Sequence, residues 1–255
     1  MPHILITGAS SGIGAALARR YARTGNRLTL NARDPGRLDA VAAACRTLGA
    51  EAATVPLDLR DREAVRAWIR ALDAECPIDL VIANAGVNGG HPTGAVESED
   101  VAFETLDINL VGCLNVVLPC VTAMAARGRG QIALISSLAA YAPLADAPSY
   151  SGTKAALVAH GQALRAKLAP PGVRVNVVMP GYVKTPMGGQ LKGWRPLEMS
   201  PDQAAERIAR GLARNREIVT FPSVLFHLAR AGLVAPEFLR TAAMRAFRFQ
   251  LRPRR

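Results

Sequence analysis

The chain is poor in the residues that build metal sites and disulfide frameworks. Its four cysteines, Cys45, Cys76, Cys113 and Cys120, form no CxxC pair. Scattered single cysteines fit a reducing compartment and give neither a zinc ribbon nor a disulfide scaffold. Cys113 and Cys120 lie seven apart in an apolar helical stretch and read as core packing. His3, His91, His160 and His227 lack ligand spacing, so they read as structural or solvated and no metal is expected. No window approaches 18 uninterrupted apolar residues, which argues against a spanning helix. The start, MPHILITGASSGIG, shows no basic leader and no apolar run of signal-peptide length. A cytoplasmic protein is expected. Nothing resembling a linker, a low-complexity tract or a repeat divides its 255 residues.

Aromatic residues make up only 5% of the chain, although its net charge is +11. A nucleic-acid reader usually spreads its arginines along one groove-facing element, with aromatics to stack on. Here the segment from Ser223 to Arg255 holds seven arginines and one acid, a charge of +6 that leaves +5 for all the rest. The excess sits in a tail, so no nucleic acid is expected. With half of its residues hydrophobic, the chain has enough apolar side chains for a full core.

Apolar runs alternate with amphipathic ones. Strands are expected at His3–Thr7, Arg27–Asn31, Ala52–Pro56, Leu80–Ala83, Gln131–Ser136 and Val173–Met179, with a last one at Glu217–Phe221. Helices are expected at Ala15–Thr24, Pro35–Leu48, Arg62–Ala74, Asp100–Ala126 and Tyr150–Leu168. Such alternation predicts an α/β fold, a single-domain doubly wound parallel sheet covered on both faces. Gly181–Arg195 reads as a loop or short lid. Ser200-Pro201-Asp202-Gln203 supplies a helix start, with an N-cap, a proline at the first helical position and a capping glutamine. That helix should run to about Asn215.

Two constellations carry chemistry. Thr7-Gly8-Ala9-Ser10-Ser11-Gly12-Ile13-Gly14 falls where the first strand gives way to a helix. Glycines there let the backbone approach a pyrophosphate, and the helix N-terminus stabilises its negative charge. Farther along, Ser137 precedes Tyr150 by 13 residues and Lys154 follows it by four, one helical turn away. An adjacent ammonium should favour the phenolate and bring a phenol that titrates near ~10 towards the working range. A nearby serine hydroxyl can then bond a substrate oxygen.

Together these residues resemble the short-chain dehydrogenase/reductase family, in its compact subtype. The TGxxxGIG spacing, Asp58 in PLDL, Asn84-Ala85-Gly86 in ANAG, Asn109 in DINLVG, and Pro180-Gly181 with Thr185 in PGYVKT follow in the expected order. The resemblance implies a Rossmann-like domain over residues 1–222, with a substrate lid at about 186–200 and the basic tail 223–255 added to the same domain. It also implies the roles of the site residues. Tyr150 would be the general acid and base, Lys154 would bind the nicotinamide ribose and lower the tyrosine pKa, and Ser137 would hold the substrate carbonyl. Ser136 is one residue off the family's spacing. Asn109 would anchor a water in a proton relay. Gly8, Ser10, Ser11, Gly12, Ile13 and Gly14 would cradle the cofactor. Asp58, with Leu59 beside it, would meet the adenine, and Asn84, Ala85 and Gly86 would line the cleft. Pro180, Gly181, Val183 and Thr185 would hold the nicotinamide end.

An NAD-selective site needs an acid at the end of the second strand. Ala32 stands there, followed by Arg33, which can pair with a 2′-phosphate. Asp34 is one step too late and should cap the next helix. NADP(H) is therefore expected over NAD(H). The substrate pocket would draw on Val87, Asn88, Leu138, Tyr141 and Leu144, with Tyr182, Met187, Leu191 and Trp194 from the lid. No charged pair stands out among them, which points to a moderately apolar small-molecule carbonyl or alcohol. The helices at Asp100–Ala126 and Tyr150–Leu168 occupy the family's interface positions, so a homodimer or homotetramer is expected.

The tail departs from the family's common ending. Leu225, Phe226, Leu228, Leu233, Phe238, Leu239, Met244, Phe247 and Phe249 alternate with arginines. Such a tail can pack on its own domain, cover a partner, close the substrate site, or touch the inner face of an anionic membrane. Other readings are an NADPH-binding regulatory protein, a membrane-surface scaffold built on the tail, and a sugar-nucleotide epimerase. The intact Ser137, Tyr150 and Lys154 disfavour the regulator, and the glycine spacing disfavours the epimerase.

Overall fold

Strand β1 (His3–Thr7) is buried at every position, as a strand covered on both faces must be. In the computed structural model, which describes residues 1–90, 95–239, 241 and 250–251, β1 lies mid-sheet. The elements in chain order are α1 (Gly12–Tyr21), β2 (Arg27–Ala32), α2 (Pro35–Thr47), β3 (Glu51–Pro56), α3 (Arg62–Glu75), β4 (Leu80–Ala83), α4 (Glu99–Leu106), α5 (Gly112–Arg127), β5 (Gly130–Ile135), α6 (Pro148–Leu168), β6 (Val173–Pro180), β7 (Leu191–Lys192), α7 (Pro201–Ala213), β8 (Ile218–Phe221), α8 (Ser223–Gly232) and β9 (Gln250–Leu251). Seven strands form one parallel sheet in the order β3-β2-β1-β4-β5-β6-β8, and β7 pairs with β9 outside it. The chain reverses direction across the sheet between β1 and β4. Ligands of doubly wound sheets bind at the carboxyl ends of the strands at this point.

One core layer joins α1, α2 and α7 to the sheet through Leu17, Leu38 and Ile208. The opposite layer joins α3, α5 and α6 through Ile69, Val117 and Leu157. Local chemistry sets the helix starts. Asp34 caps α2 by accepting from Arg37 N at 3.0 Å, with Pro35 behind it. Ser200 and Gln203 form the expected capping box on α7. Helix α7 stops at Ala213, short of the expected Asn215, which adopts a positive φ and is gripped by Arg165.

Two helices differ from expectation in ways that matter for the site. Helix α1 begins at Gly12, inside the glycine segment, and ends at Tyr21, whose carbonyl accepts from Asn26 Nδ2 at 2.8 Å. The single helix expected at Asp100–Ala126 is interrupted by a π-helical turn at Asp107–Val111, flanked by α4 and α5. The run Glu99–Arg127 is long and apolar enough to cross a membrane by length and composition, although it contains no uninterrupted apolar stretch of that length. It packs against α3 and α6, and its Asn109 and Asn115 bond the main chain of Val87 and Leu59. We read it as a core helix of the sheet's second layer.

The tail begins with α8, which packs on β8 and on the 3-10 turn at Leu138–Ala140. Phe226 is its buried anchor, among Leu138, Val177 and Met179. Met244, Phe247 and Phe249 lie outside the described residues. His3 is structural, with Nδ1 bonded to Cys76 O at 2.8 Å and Nε2 to the Thr29 hydroxyl at 2.9 Å, while His227 is exposed. His91 lies outside the described residues.

Candidate active site

The glycine segment forms a tight turn that only small residues can make. Gly8 and Gly12 take positive φ, and a Cβ on Gly14 would sit 2.2 Å from the carbonyl oxygen of Gly8. Asn84 braces this turn from β4, donating to Thr7 O at 3.0 Å and Gly8 O at 3.2 Å. The Thr7 hydroxyl in turn accepts from the main-chain N–H groups of Asn84 and Ala85. The N-cap Ser11 makes no side-chain bond to α1, and the first turn carries no acid. The helix N-terminus is thus free of a competing carboxylate, as an incoming phosphate requires. By that test the residues fit a dinucleotide.

The turn opens into a cleft of about 1010 Å³ at the carboxyl ends of the strands. Of the expected site residues, Gly8, Ser10, Ser11, Gly12, Ile13, Arg33, Asp58, Leu59, Asn84, Ala85, Gly86, Ser137, Tyr150, Lys154, Pro180, Gly181, Val183 and Thr185 line it. Gly14 and Asn109 stand outside the lining. Among the predicted pocket residues, Val87, Asn88, Leu138, Tyr141, Leu144, Tyr182 and Met187 line the cleft, whereas Trp194 does not and is 71% exposed. The side chain of Leu191 lies outside the described set.

Helix α6 carries Tyr150 and Lys154 against the end of β5. Lys154 Nζ lies 5.5 Å from the Tyr150 ring centroid and donates to Ile135 O at 2.9 Å. Ser136 is turned inwards and donates to Lys154 O at 2.7 Å, so its hydroxyl holds the helix to the strand. Ser137 instead faces the cleft, near enough to Tyr150 to oppose the rise in the phenol's pKa, and accepts from Ala139 N at 3.1 Å. Asn109, on the π turn, accepts from Val87 N at 2.7 Å and donates to Val87 O at 3.0 Å, tying that turn to the segment after β4. A side chain on Gly86 would press on Asn109 Oδ1 and come near Lys154 Nζ.

The electrostatics differ from the simple expectation for a lysine beside a tyrosine. Burial raises the Tyr150 pKa, opposed by the neighbouring Ser137. Burial also lowers Lys154 from 10.5 to about 8. The spacing of four puts the two side chains together, but burial shifts both towards their neutral forms, and Lys154 keeps its proton below about pH 8. At the far end of the cleft Asp58 is held below its ordinary pKa chiefly by its bond to Arg60, with Arg33 adding to the effect.

Several contributors were not legible in the sequence. Arg37, one turn after Arg33, lines the cleft while bonding Asp34 at 2.6 Å. Glu97 accepts from Ser149 N at 3.0 Å in the first turn of α6, which has no side-chain cap of its own. In the lid, Arg195 pairs with Glu198 at 2.8 Å and donates to Gly188 O, and both side chains line the cleft. Asn88, expected in the pocket from the sequence, also bridges to the lid through Met187 O at 3.0 Å. Leu225, Leu228 and Ala229 of α8 add an apolar wall. Arg37 alone had a usable signal, its helical spacing from Arg33. The others depend on contacts distant in sequence.

The family model described as short chain dehydrogenase matches residues 2–196. An uncharacterized oxidoreductase of Myxococcus xanthus is 36% identical over 245 residues, spanning 96% of each chain. A 3-dehydrosphinganine reductase of Arabidopsis thaliana is 33% identical over 247 residues, covering 91% of this chain and 74% of its own. Among solved structures, a short-chain dehydrogenase from Sphingobium yanoikuyae in complex with NADPH superposes with a TM-score of 0.78 at 29% identity, covering 93% of this chain and 97% of that one.

The lowered pKa of Lys154 makes stability depend on pH. Between about 8 and 10.5 the unfolded chain keeps a proton that the folded chain has released. Stability therefore rises with pH through that window on account of this group, and its full cost is felt below it. Tyr150 and Cys113 are shifted upward by burial and act in the opposite sense, so the comparison must be between proteins. Losing the bond to Ile135 O costs Lys154→Met a constant amount at every pH, and on top of that its stability relative to wild type should fall by about 2–3 kcal/mol between pH 7 and pH 10. Thermal unfolding of both proteins at pH 7 and pH 10 measures this. A difference that does not change with pH would contradict the assignment.

Proposed function

The chain belongs to the short-chain dehydrogenase family, and from that footing we propose that it is an NADP(H)-dependent oxidoreductase acting on the carbonyl or secondary alcohol of a moderately apolar small molecule. The observation that carries the reading is that Ser137, Tyr150 and Lys154 line the same cleft as a glycine turn suited to a phosphate. The bound cofactor supplies the hydride in reduction and accepts it in oxidation. Ser137 holds the carbonyl oxygen and polarises it. Tyr150 gives its proton to that oxygen as the carbon gains hydrogen, so the C=O π bond is replaced by one C–H and one O–H bond. In the reverse direction Tyr150 takes the proton back. Lys154 supplies a positive charge when protonated, which stabilises the phenolate left behind, and its amine would bond the ribose. Asn109 orders the main chain at Val87, beside which a water of the relay would sit.

NADP(H) rather than NAD(H) is supported by the second strand's end. Ala32 leaves no carboxylate to repel a phosphate, Arg33 is exposed at the rim, and Arg37 adds a second guanidinium one turn on. The Sphingobium yanoikuyae relative binds NADPH. Assembly as a homodimer or larger homo-oligomer is supported by Phe103, Val111 and Leu118, exposed along α4, the π turn and α5. Light scattering at micromolar concentration should report at least a dimer, and a monomer alone would overturn that part of the reading.

Removing the Arg33 charge should weaken NADPH about ten- to a hundredfold and leave NADH nearly unchanged. Titration of both cofactors against Arg33→Ala checks this, and equal losses would refute it. Catalysis has its own signature. Tyr150→Phe and Ser137→Ala should bind NADPH as wild type does while turning over poorly, the tyrosine variant by about 10²–10⁴. Lys154→Met should fail at both. Near-normal turnover by Tyr150→Phe would show the mechanism to be wrong.

A further inference from the structure

Helix α8 presents two apolar surfaces, and only one is used by the fold. Phe226 is 6% exposed and packs its ring 5.8 Å from that of Tyr141. Leu225, Leu228, Ala229 and Gly232, spaced i, i+3, i+4 and i+7, instead line the cleft. This spacing makes one continuous stripe about 10 Å long. Ala235 and Leu239 extend the lining beyond the helix end. Among the described residues Leu228 is 65% exposed and Leu239 52%, while Leu225 also packs against the cluster around Phe226. Single exposed leucines are ordinary, but a row of them along the wall of a binding cleft is a ligand surface.

Other residues of the lining share this character. Tyr141, Pro143 and Leu144 come from the loop before α6, and Met187 and Pro196 from the lid. Among the described residues, the charged groups lining this end are Arg195 and Glu198, which neutralise one another. The remaining charged lining residues, Arg33, Asp34, Arg37, Asp58 and Lys154, belong to the dinucleotide side or to the catalytic pair. Among the described residues, those by which α8 lines the cleft offer no charge to an anionic substrate.

We propose that the substrate is an aliphatic carbonyl compound with an unbranched hydrocarbon chain, its carbonyl at Ser137 and Tyr150 and its chain along the Leu225–Gly232 stripe. This deepens the reductase reading and rests on it. The redox step is the one described above, with the carbonyl reduced to a secondary alcohol and NADPH oxidised to NADP⁺. Gly232 has open space around its Cβ position and an unstrained backbone, so a large side chain there would enter the slot without disturbing the fold.

The test uses straight-chain ketones from 2-butanone to 2-dodecanone with the whole protein and NADPH. Calorimetry of the matching 2-alkanols in the presence of NADP⁺ supplies a readout that does not need turnover. In wild type, affinity and kcat/KM should rise about threefold to fourfold per methylene until the slot is filled. Gly232→Trp should end that rise at a shorter chain, lowering the ratio of 2-decanone to 2-butanone kcat/KM at least tenfold. Leu228→Ser should flatten it. Turnover that is independent of chain length, or a chain-length dependence untouched by both variants, would overturn the slot and leave the reductase intact. Affinity that climbs with chain length while no ketone is reduced would support the slot and overturn the reductase reading.

Discussion

The site depends on how helix α6 is fastened to the end of strand β5. Two bonds do this from opposite directions. The Ser136 hydroxyl on the strand side donates to the carbonyl of Lys154, and the Lys154 amine donates to the carbonyl of Ile135. Buried side chains that bond main-chain groups fix position better than exposed ones, because the alternative of bonding water is absent. The next residue after Ser136 must then point to the other side of the chain, and it is Ser137 that meets Tyr150. Two adjacent serines therefore have separate tasks, one in anchoring and one in the cleft. Glu97 adds a third fastening at the first turn of the same helix, through Ser149 N.

The second half of the site is braced in a similar way across the switch point of the sheet. Asn84 spans from β4 to the glycine turn after β1, and Asn109 spans from the π turn to the segment after β4. Asn84 donates to two main-chain carbonyls, whereas Asn109 uses both its donor and its acceptor on Val87. Glycine at positions 14 and 86 completes the arrangement by leaving room, for Gly8 O in one case and Asn109 Oδ1 in the other. The dinucleotide cradle and the catalytic pair are thereby linked through loop bonds laid across the adjacent ends of β1, β4 and β5.

What could be read from the sequence follows from the range of the interactions involved. The central strands are buried on both faces and announce themselves as apolar runs, and the starts of α2 and α7 rest on caps within three residues. The glycine turn and the Ser137, Tyr150 and Lys154 spacing were legible for the same reason. The π turn was not, because Asn109 is held by Val87, 22 residues away. Nor was the direction of the Tyr150 shift. Spacing shows that an amine is near the phenol, but burial, which decides the sign, comes from elements distant in the chain.

Helix α8 shows where sequence patterns lose their meaning. The period of Leu225, Leu228, Ala229 and Gly232 is that of any amphipathic helix, and a core stripe and a cleft stripe are identical on paper. The deciding contact is Phe226, which occupies the position between them and docks among Tyr141, Leu138 and Met179. Once that ring is seated, the rotation of the helix is fixed, and the leucine stripe must face the cavity. The anchor therefore sets the substrate surface without touching the substrate. Because Tyr141 and Leu138 lie on the loop that also carries Ser137, the same packing couples the chain-binding wall to the catalytic hydroxyls.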